Sequence, residues 1–341
     1  MPGLKNPDYL TLSDIAQMCH NQEIVPMVDE IGKSTTIFNA MPWKQASDAM
    51  RDVTGKVTKY PTSQWVGLDL GAKASKGAWT QVEEGLAMLE SWSEINEKTY
   101  NIAPNKEQTR WNNDQLHIRQ LGMDAETGLL YGNPLVDKAM PLGFLPRFSQ
   151  ITNKDRIAKT GGEKLEYCTL SAEGKTANGQ NSILLVAKGP NAPTLLYPRY
   201  KADNGFLYRH FDFENAKDDA GGNVRLAKSQ FQITFGLSIA DPRTAVRIAN
   251  VDTEDNASMS NVRDALYEAF AAIPKIYRSS VEIYTTSDVI LALRKMYSNL
   301  VQPITYNAQS AMANNAYGDI YFDGILLHEC EQMLSTEAVV A

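Results

Sequence analysis

The sequence predicts an α+β chain with discontinuous elements, and three stretches carry that expectation. In SQFQITFGLSIAD, the residues Phe231, Ile233, Phe235, Leu237 and Ile239 occupy five successive odd positions, which makes one face of a long strand apolar. NVRDALYEAFAAIP and SDVILALRKMYSNL place their apolar residues at helical spacing. Around them, VEIYT reads as a buried strand and DIYFDGILLHE as a hairpin turning at Asp323-Gly324.

The remaining elements follow in chain order. SDIAQMCH predicts a short helix capped by Ser13, and Val25, Met27, Val28 and Ile31 give a second, looser helical pattern. VEEGLAMLESWSEI sets Leu86, Met88, Glu90, Trp92 and Glu94 against Ala87, Leu89, Ser91, Ser93 and Ile95, the alternation of a strand. Pro104 stands where a helix would take its first turn, and a long polar helix is expected to run on to Asn133, with Gly132 as its stop. Its apolar residues, Trp111, Leu116, Ile118, Leu121 and Leu129, are sparse, so it is expected to lie across a surface; Gly122 and Gly128 threaten to bend it. Ser182–Pro190 and Thr194–Tyr200 read as short strands, Asn215–Asn223 as an exposed polar loop, and TAVRIANVD as a strand after the stop at Asp241-Pro242. Val262, Ala265, Leu266, Ala269, Phe270 and Ile273 line the first late helix, which Pro274 ends. Ser287 is expected to cap the second, lined by Val289, Ile290, Leu293, Met296, Tyr297 and Leu300.

The chain has 341 residues, 43% apolar and 21% charged, enough for two typical domains or one large one. A net charge of −7 argues against a dedicated nucleic-acid-gripping surface, whose affinity comes from Lys and Arg neutralising phosphates. Cys19, Cys168 and Cys330 are odd in number with no CxxC, so no disulfide framework is expected. MPGLKNPDYL lacks the apolar core of a signal peptide, and no run approaches the length of a membrane span. The chain is accordingly expected to fold in a reducing cytoplasm.

TKYPTSQWVGLDLGAKASKGAWTQ, from Thr58 to Gln81, fits no element. It carries Trp65 and Trp79 but hardly any packable core, and coreless stretches of that length are usually functional or disordered. Thr54–Thr80 holds Lys56, Lys59, Lys73 and Lys76 against Asp69, a balance of +3. Gln81–Tyr100 holds Glu83, Glu84, Glu90, Glu94 and Glu97 against Lys98, a balance of −4. Two readings stand: a pair of solvated faces, or a projecting basic arm that lies on the acidic surface of a neighbouring copy, with the tryptophans as anchors. The second makes Trp65, Leu68, Lys73, Lys76, Trp79, Glu83, Glu84 and Glu90 candidate inter-subunit contacts.

Chemistry leaves little trace. There is no phosphate-binding glycine loop, no nucleophile elbow, no HExxH and no dinucleotide fingerprint. His20, His117, His210 and His328 are isolated; His328-Glu329-Cys330 reads as alternating strand residues, since no second ligand pair exists for a zinc site. Asp218-Asp219 beside Gly221-Gly222 lacks a calcium-loop pattern. His210 and Asp212 share a strand face, the spacing of an acid/base dyad or of a surface hydrogen bond, and carry the rival reading of a soluble hydrolase. No catalytic residue, cofactor or metal is otherwise expected.

Several phrases carry a resemblance: PDYLTLSDIA near the start, GFLPRF at Gly143–Phe148, SILLVAKGP at Ser182–Pro190, FGLSIADPRTAVRIANVD at Phe235–Asp252 and GILLHECEQMLSTEA at Gly324–Ala338. With the order of parts, these resemble the major capsid proteins of tailed double-stranded DNA phages, in a podovirus-associated branch of the Hong Kong 97-type fold. The resemblance implies an N-terminal arm at 1–53, an extension loop at 54–80, a peripheral-domain strand and spine helix at 81–137, part of an axial domain at 138–227, long body strands at 228–259, and helices with a C-terminal hairpin at 260–341. It implies a structural protein that assembles as hexamers and pentamers into an icosahedral virion capsid in the host cytoplasm, with copies of itself as chief partner. Scaffold, portal and decoration proteins would be further partners, packaged DNA would be held without sequence specificity, and no membrane is involved. An encapsulin-like cellular compartment is the nearer rival. Lysine crosslinking in the founding member points by position to Lys73 and Lys76, but neither a partner Asn nor an activating acid is identifiable, so no crosslink is expected.

Overall fold

The computed structural model describes residues 10–21, 23–152, 167–175, 178–189, 191–200, 202–217, 221–298 and 320–340. Residues 1–9, Pro190, Asp218, Asp219, Leu300 and Asp319 of the predicted elements lie outside them, as do the side chains of Lys56 and Tyr297. The fold is α+β. It divides into two units, each assembled from separate stretches: Met1–Asp52, Glu84–Gly143 and Leu195–Leu237 form the first, and Val53–Glu83, Phe144–Thr194 and Ser238–Ala341 the second.

The first unit is a six-stranded sheet with helices. Trp43–Gln45 runs parallel to Thr194–Tyr197, which neighbours the long strand Asn223–Ser238. That strand pairs antiparallel with Ala87–Asn96, from Leu226 opposite Asn96 to Phe235 opposite Ala87, and also with Phe206–His210 and Glu214–Lys217. Period-two alternation marked one face of this strand as apolar, and from Phe231 onward the other face is buried as well, Gln232 and Thr234 included. On Ala87–Asn96 the alternation holds: Ala87, Ser93 and Ile95 are buried while Met88, Glu90, Trp92 and Glu94 are exposed.

The long helix Lys106–Tyr131 is continuous through both glycines. Asn105 caps it by accepting from Gln108 N, so Pro104 stands outside the first turn, contrary to expectation; Gly132 does end it, donating to Gly128 O at 2.9 Å. Gly122 lies in close packing: a Cβ there would stand 2.8 Å from Ser34 Oγ and 3.3 Å from Ile31 Cγ2, so these side chains would have to shift to admit one. The expectation of a surface helix fails over its C-terminal half, where Ile118, Leu121, Ala125, Leu129 and Leu130 are buried together with Glu126. Glu126 is polar without facing solvent: its Oε1 accepts from the backbone N–H groups of Thr36 (2.8 Å), Ile37 (2.6 Å) and Phe38 (3.2 Å), serving the orphan donors of the short helix Ile37–Ala40. In the helix Ile24–Ser34, Met27, Val28 and Ile31 are buried as predicted. The first helix, Leu12–Gln17, is capped by Thr11 in a reciprocal box with Asp14, not by Ser13.

The second unit holds a seven-stranded sheet in the order Tyr321–Phe322, Ile325–Glu329, Val281–Thr285, Asn178–Ala187, Ala245–Val251, Cys168–Ser171, with Glu337–Ala338 also on Asn178–Ala187. Helices Asn256–Ala272 and Ser287–Ser298 supply Val262, Leu266, Ala269, Val289 and Leu293 to a core shared with Ile183, Leu185, Val246, Ile248 and Ile283. Thr286, rather than Ser287, caps the second helix, its Oγ1 accepting from Val289 N at 3.5 Å. The hairpin turns at Asp323 (φ 48°) and Gly324 (φ 82°), the paired positive φ that a two-residue turn of this hand requires.

A buried ion pair fastens the last strand to this sheet. The Arg247 guanidinium donates to Glu337 Oε2 at 2.8 Å, to Ser182 Oγ at 3.0 Å and to Phe148 O at 2.9 Å. Ser182 Oγ donates in turn to Glu337 Oε2 at 2.5 Å. Beyond it, Asn250, at φ 57°, pairs its side-chain amide with both backbone groups of Val340 at 2.8 and 2.9 Å.

Candidate assembly surface

The coreless stretch is a two-stranded ribbon with an open tip. Arg51–Lys59 pairs with Ala78–Gly85, and Tyr60–Gly77 between them forms neither strand nor helix. Gly55 leaves room for Trp79, whose Cε3 lies 3.7 Å from where a Cβ would stand; a Cβ on Gly77 would stand 3.3 Å from Lys59 O on the other rail. Two hydrogen bonds cross the tip, Ser75 Oγ to Thr62 O at 2.5 Å and Lys73 N to Gln64 Oε1 at 3.3 Å.

The tip displays what a soluble surface normally hides. Trp65 and Leu68 are fully exposed, Leu70 and Trp79 are each more than 70% exposed, and Val66 is half exposed. A contiguous apolar display of this kind marks an interaction site more often than idle surface. Lys73 and Lys76 are exposed beside it.

The acidic partners are less uniform than their sequence count. Glu83 and Glu90 are exposed, whereas Glu84 is only 5% exposed and offers nothing to a neighbour, which corrects its place among the contacts. Its position next to buried Leu86, where the ribbon ends, accounts for this. Glu90 accepts from Trp92 Nε1 at 2.5 Å and Gln230 Nε2 at 2.7 Å, and the Trp92 ring stacks on Phe211. Glu94 pairs with Lys228 at 3.3 Å and Glu97 with Arg225 at 3.0 Å, so the field of this strand is weaker than −4 implies.

Sequence reasoning missed a second exposed apolar pair. Leu135 and Val136 are almost fully exposed on a loop ordered by Asn133 and Asp137, whose side chains accept from Leu135 N and Ala139 N. The signal was present in NPLVDKAMP: two aliphatics between turn-forming Asn and Asp, bounded by prolines.

The rival dyad does not form. His210 Nδ1 lies 3.2 Å from Ser229 Oγ and 3.9 Å from Asp114 Oδ2, and Asp212 is exposed. Fully buried Asp114, on the long helix, also accepts from Tyr208 OH at 3.2 Å. Arg110 donates to Ser229 Oγ and to the carbonyls of Phe211 and Lys228. Cys19, Cys168 and Cys330 form no disulfide and are buried; burial chiefly pushes the Cys19 thiol up to about 11 and Cys168 up to about 12, far from a reactive thiolate. Among the described residues no group of three or more His, Cys, Asp or Glu could hold a metal ion, and no helix is long and apolar enough to cross a membrane.

Burial above all, and then the Arg110 charge, lower the His210 pKa from 6.5, against the opposing pull of Asp114 and Glu23. A histidine whose pKa is lower folded than unfolded binds protons more readily when unfolded, so its contribution to stability is lost as pH falls from 6.5 towards the folded value. His210→Gln is therefore expected to lose less thermal stability than wild type between pH 7 and about 5.5, a difference that unfolding scans at both pH values measure. Equal losses in the two proteins would remove His210 from the acid response.

A family model for the major capsid protein GP7 matches residues 20–341. The chain belongs to that family. Among solved structures, this capsid protein overlays on bacteriophage Epsilon15 with a TM-score of 0.58 and 18% identity, over 87% of each chain. It overlays on the bacteriophage JBD30 capsid at 0.50 and 8% identity, over 87% of this chain and 91% of that one. The SrpI encapsulin of Synechococcus elongatus PCC 7942 gives 0.39 and 13% identity, over 62% of this chain and 85% of that one. No curated protein matches. The fold is the Hong Kong 97 type, and the capsid protein is a structural component of a phage capsid.

Proposed function

We propose that the protein closes an icosahedral shell from hexamers and pentamers of itself around double-stranded DNA, with the ribbon acting as the extension loop that each copy lays on its neighbour. The observation that carries this reading is the tip itself: Trp65, Val66, Leu68 and Leu70 project from an ordered loop into solvent. Copies of one chain joined through unlike patches form rings and closed shells. Lys73 and Lys76 would set the approach to exposed carboxylates such as Glu83 and Glu90, and Leu135 with Val136 would supply a second contact. Trp79 anchors the ribbon's far rail. The unit bearing the helix Lys106–Tyr131 takes the peripheral-domain role and the unit with the seven-stranded sheet the axial one. A chain of net charge −7 holds DNA by enclosure rather than by grip. Scaffold, portal and decoration proteins are the further partners, and assembly takes place in the host cytoplasm.

Purified protein is expected to form capsomers or closed shells of many hundreds of kilodaltons in electron microscopy and light scattering. Boiled in denaturant and reductant, these should run as one band near 37.8 kDa, since Lys73 and Lys76 form no crosslink in this reading. A monomer at high concentration, even with scaffold protein supplied, would overturn the assembly reading; a ladder of covalent oligomers would overturn only the absence of crosslinks.

A further inference from the structure

The ribbon must leave the body at a set angle if its tip is to reach the same place on every neighbour, and a fitting device sits where its first strand passes into the tip. Tyr60 is the first residue after the strand Arg51–Lys59. Its hydroxyl accepts from the Arg243 guanidinium at 3.0 Å, and that guanidinium lies 5.4 Å from the Tyr60 ring centroid. Arg243 is itself fixed: Nε and Nη2 grip the Asp241 carboxylate at 3.0 and 2.7 Å in a two-pronged pair, less than a fifth exposed on either side. Asp241 Oδ1 also accepts from Arg243 N at 3.0 Å, and Asp241 N donates to Asn191 O at 2.9 Å, which ties the turn Pro242–Thr244 to its own unit. A second bond joins the same two segments, Thr54 Oγ1 and Ser238 Oγ at 3.4 Å.

We infer that Asp241, Arg243 and Tyr60 form a latch that fixes the elevation of the ribbon, making them positioning residues for assembly; this rests on the extension-loop reading above. A rigid guanidinium fork suits the task, because its orientation is set by Asp241 before Tyr60 arrives, and a lysine could not hold both at once. The latch is also weak enough to be opened: Tyr60 is 41% exposed, and breaking its contact costs no buried core.

Hydrogen exchange on the unassembled subunit tests the latch apart from any shell. Tyr60→Ala and Arg243→Ala are expected to exchange the ribbon amides of 53–59 and 78–83 about tenfold faster than wild type, the effect of losing one charge-assisted hydrogen bond, with the sheet strand Ala245–Val251 unchanged. Tyr60→Phe, which keeps the ring and removes only the hydroxyl, should fall between. Unchanged ribbon exchange in both alanine variants would sink the latch whether or not shells form. Faster exchange with wild-type yield and size uniformity of particles would show a latch that does not position the arm, and overturns the inference. Wild-type chains that form no particles overturn the extension-loop reading alone, while the exchange data still decide the latch.

Discussion

A chain lacking Leu68–Lys76 is expected to fold as the wild type does and to fail to close stable shells. The deleted residues contribute no buried side chain, so circular dichroism and the unfolding temperature of the free subunit should stay within the range of ordinary surface changes. A desolvated aromatic or aliphatic anchor between subunits, by contrast, costs roughly 2 kcal/mol or more when truncated, and a shell repeats that loss at every contact. Trp65→Ala with Leu68→Ala should show the same separation of folding from assembly. Salt provides a second axis: screening should weaken wild-type assembly more than that of a Lys73→Ala, Lys76→Ala variant, which has already lost the basic contribution. A tip deletion that lowers the stability of the free subunit would place these residues in a core of their own chain.

Removing one half of the buried pair has the opposite profile. Arg247→Ala is expected to destabilise the second unit by about 3–5 kcal/mol, because the buried Glu337 carboxylate would then lose the guanidinium that balances its charge. Glu337→Ala should cost a similar amount by stranding Arg247. Replacing both residues by apolar ones, Arg247→Met with Glu337→Leu, should recover much of the loss, since no charge is then left unpaired. Chemical denaturation of the soluble subunit measures all three, and additive losses in the double variant would contradict the pairing. Both single variants should yield few particles simply because little folded subunit remains, which distinguishes them from the tip deletion.

The contrast between these variants follows what was legible in the sequence. Strands announced themselves where their neighbours are backbone partners and apolar layers: Phe231 to Ile239, VEIYT, and the hairpin at Asp323-Gly324, whose turn type is written in two residues. Polar residues with distant partners did not. Glu126 and Asp114 made the long helix look like a surface element because charge reads as solvation, while their donors, in Thr36 to Phe38 and in Tyr208, lie some 90 positions away. The same holds for Arg247 and Glu337, for Arg243 and Tyr60, and for the contact of His210 with Asp114 rather than Asp212: each pair is joined only by the fold. The candidate surface was legible for the reverse reason. Trp65, Leu68, Lys73 and Lys76 stood out in the sequence because nothing nearby explained them, and in the structure they remain exposed. Glu84 misled because a charge count carries no information about which side of a ribbon a residue faces.

The most direct measurement of the central claim is a cryo-electron microscopy reconstruction of the assembled particle, read at Trp65 and Leu68. The expected result is that both side chains are buried against a second copy of the chain, with Lys73 or Lys76 close to carboxylates of that copy. A tip that stays in solvent in the closed shell, or that folds back onto its own subunit, would contradict it.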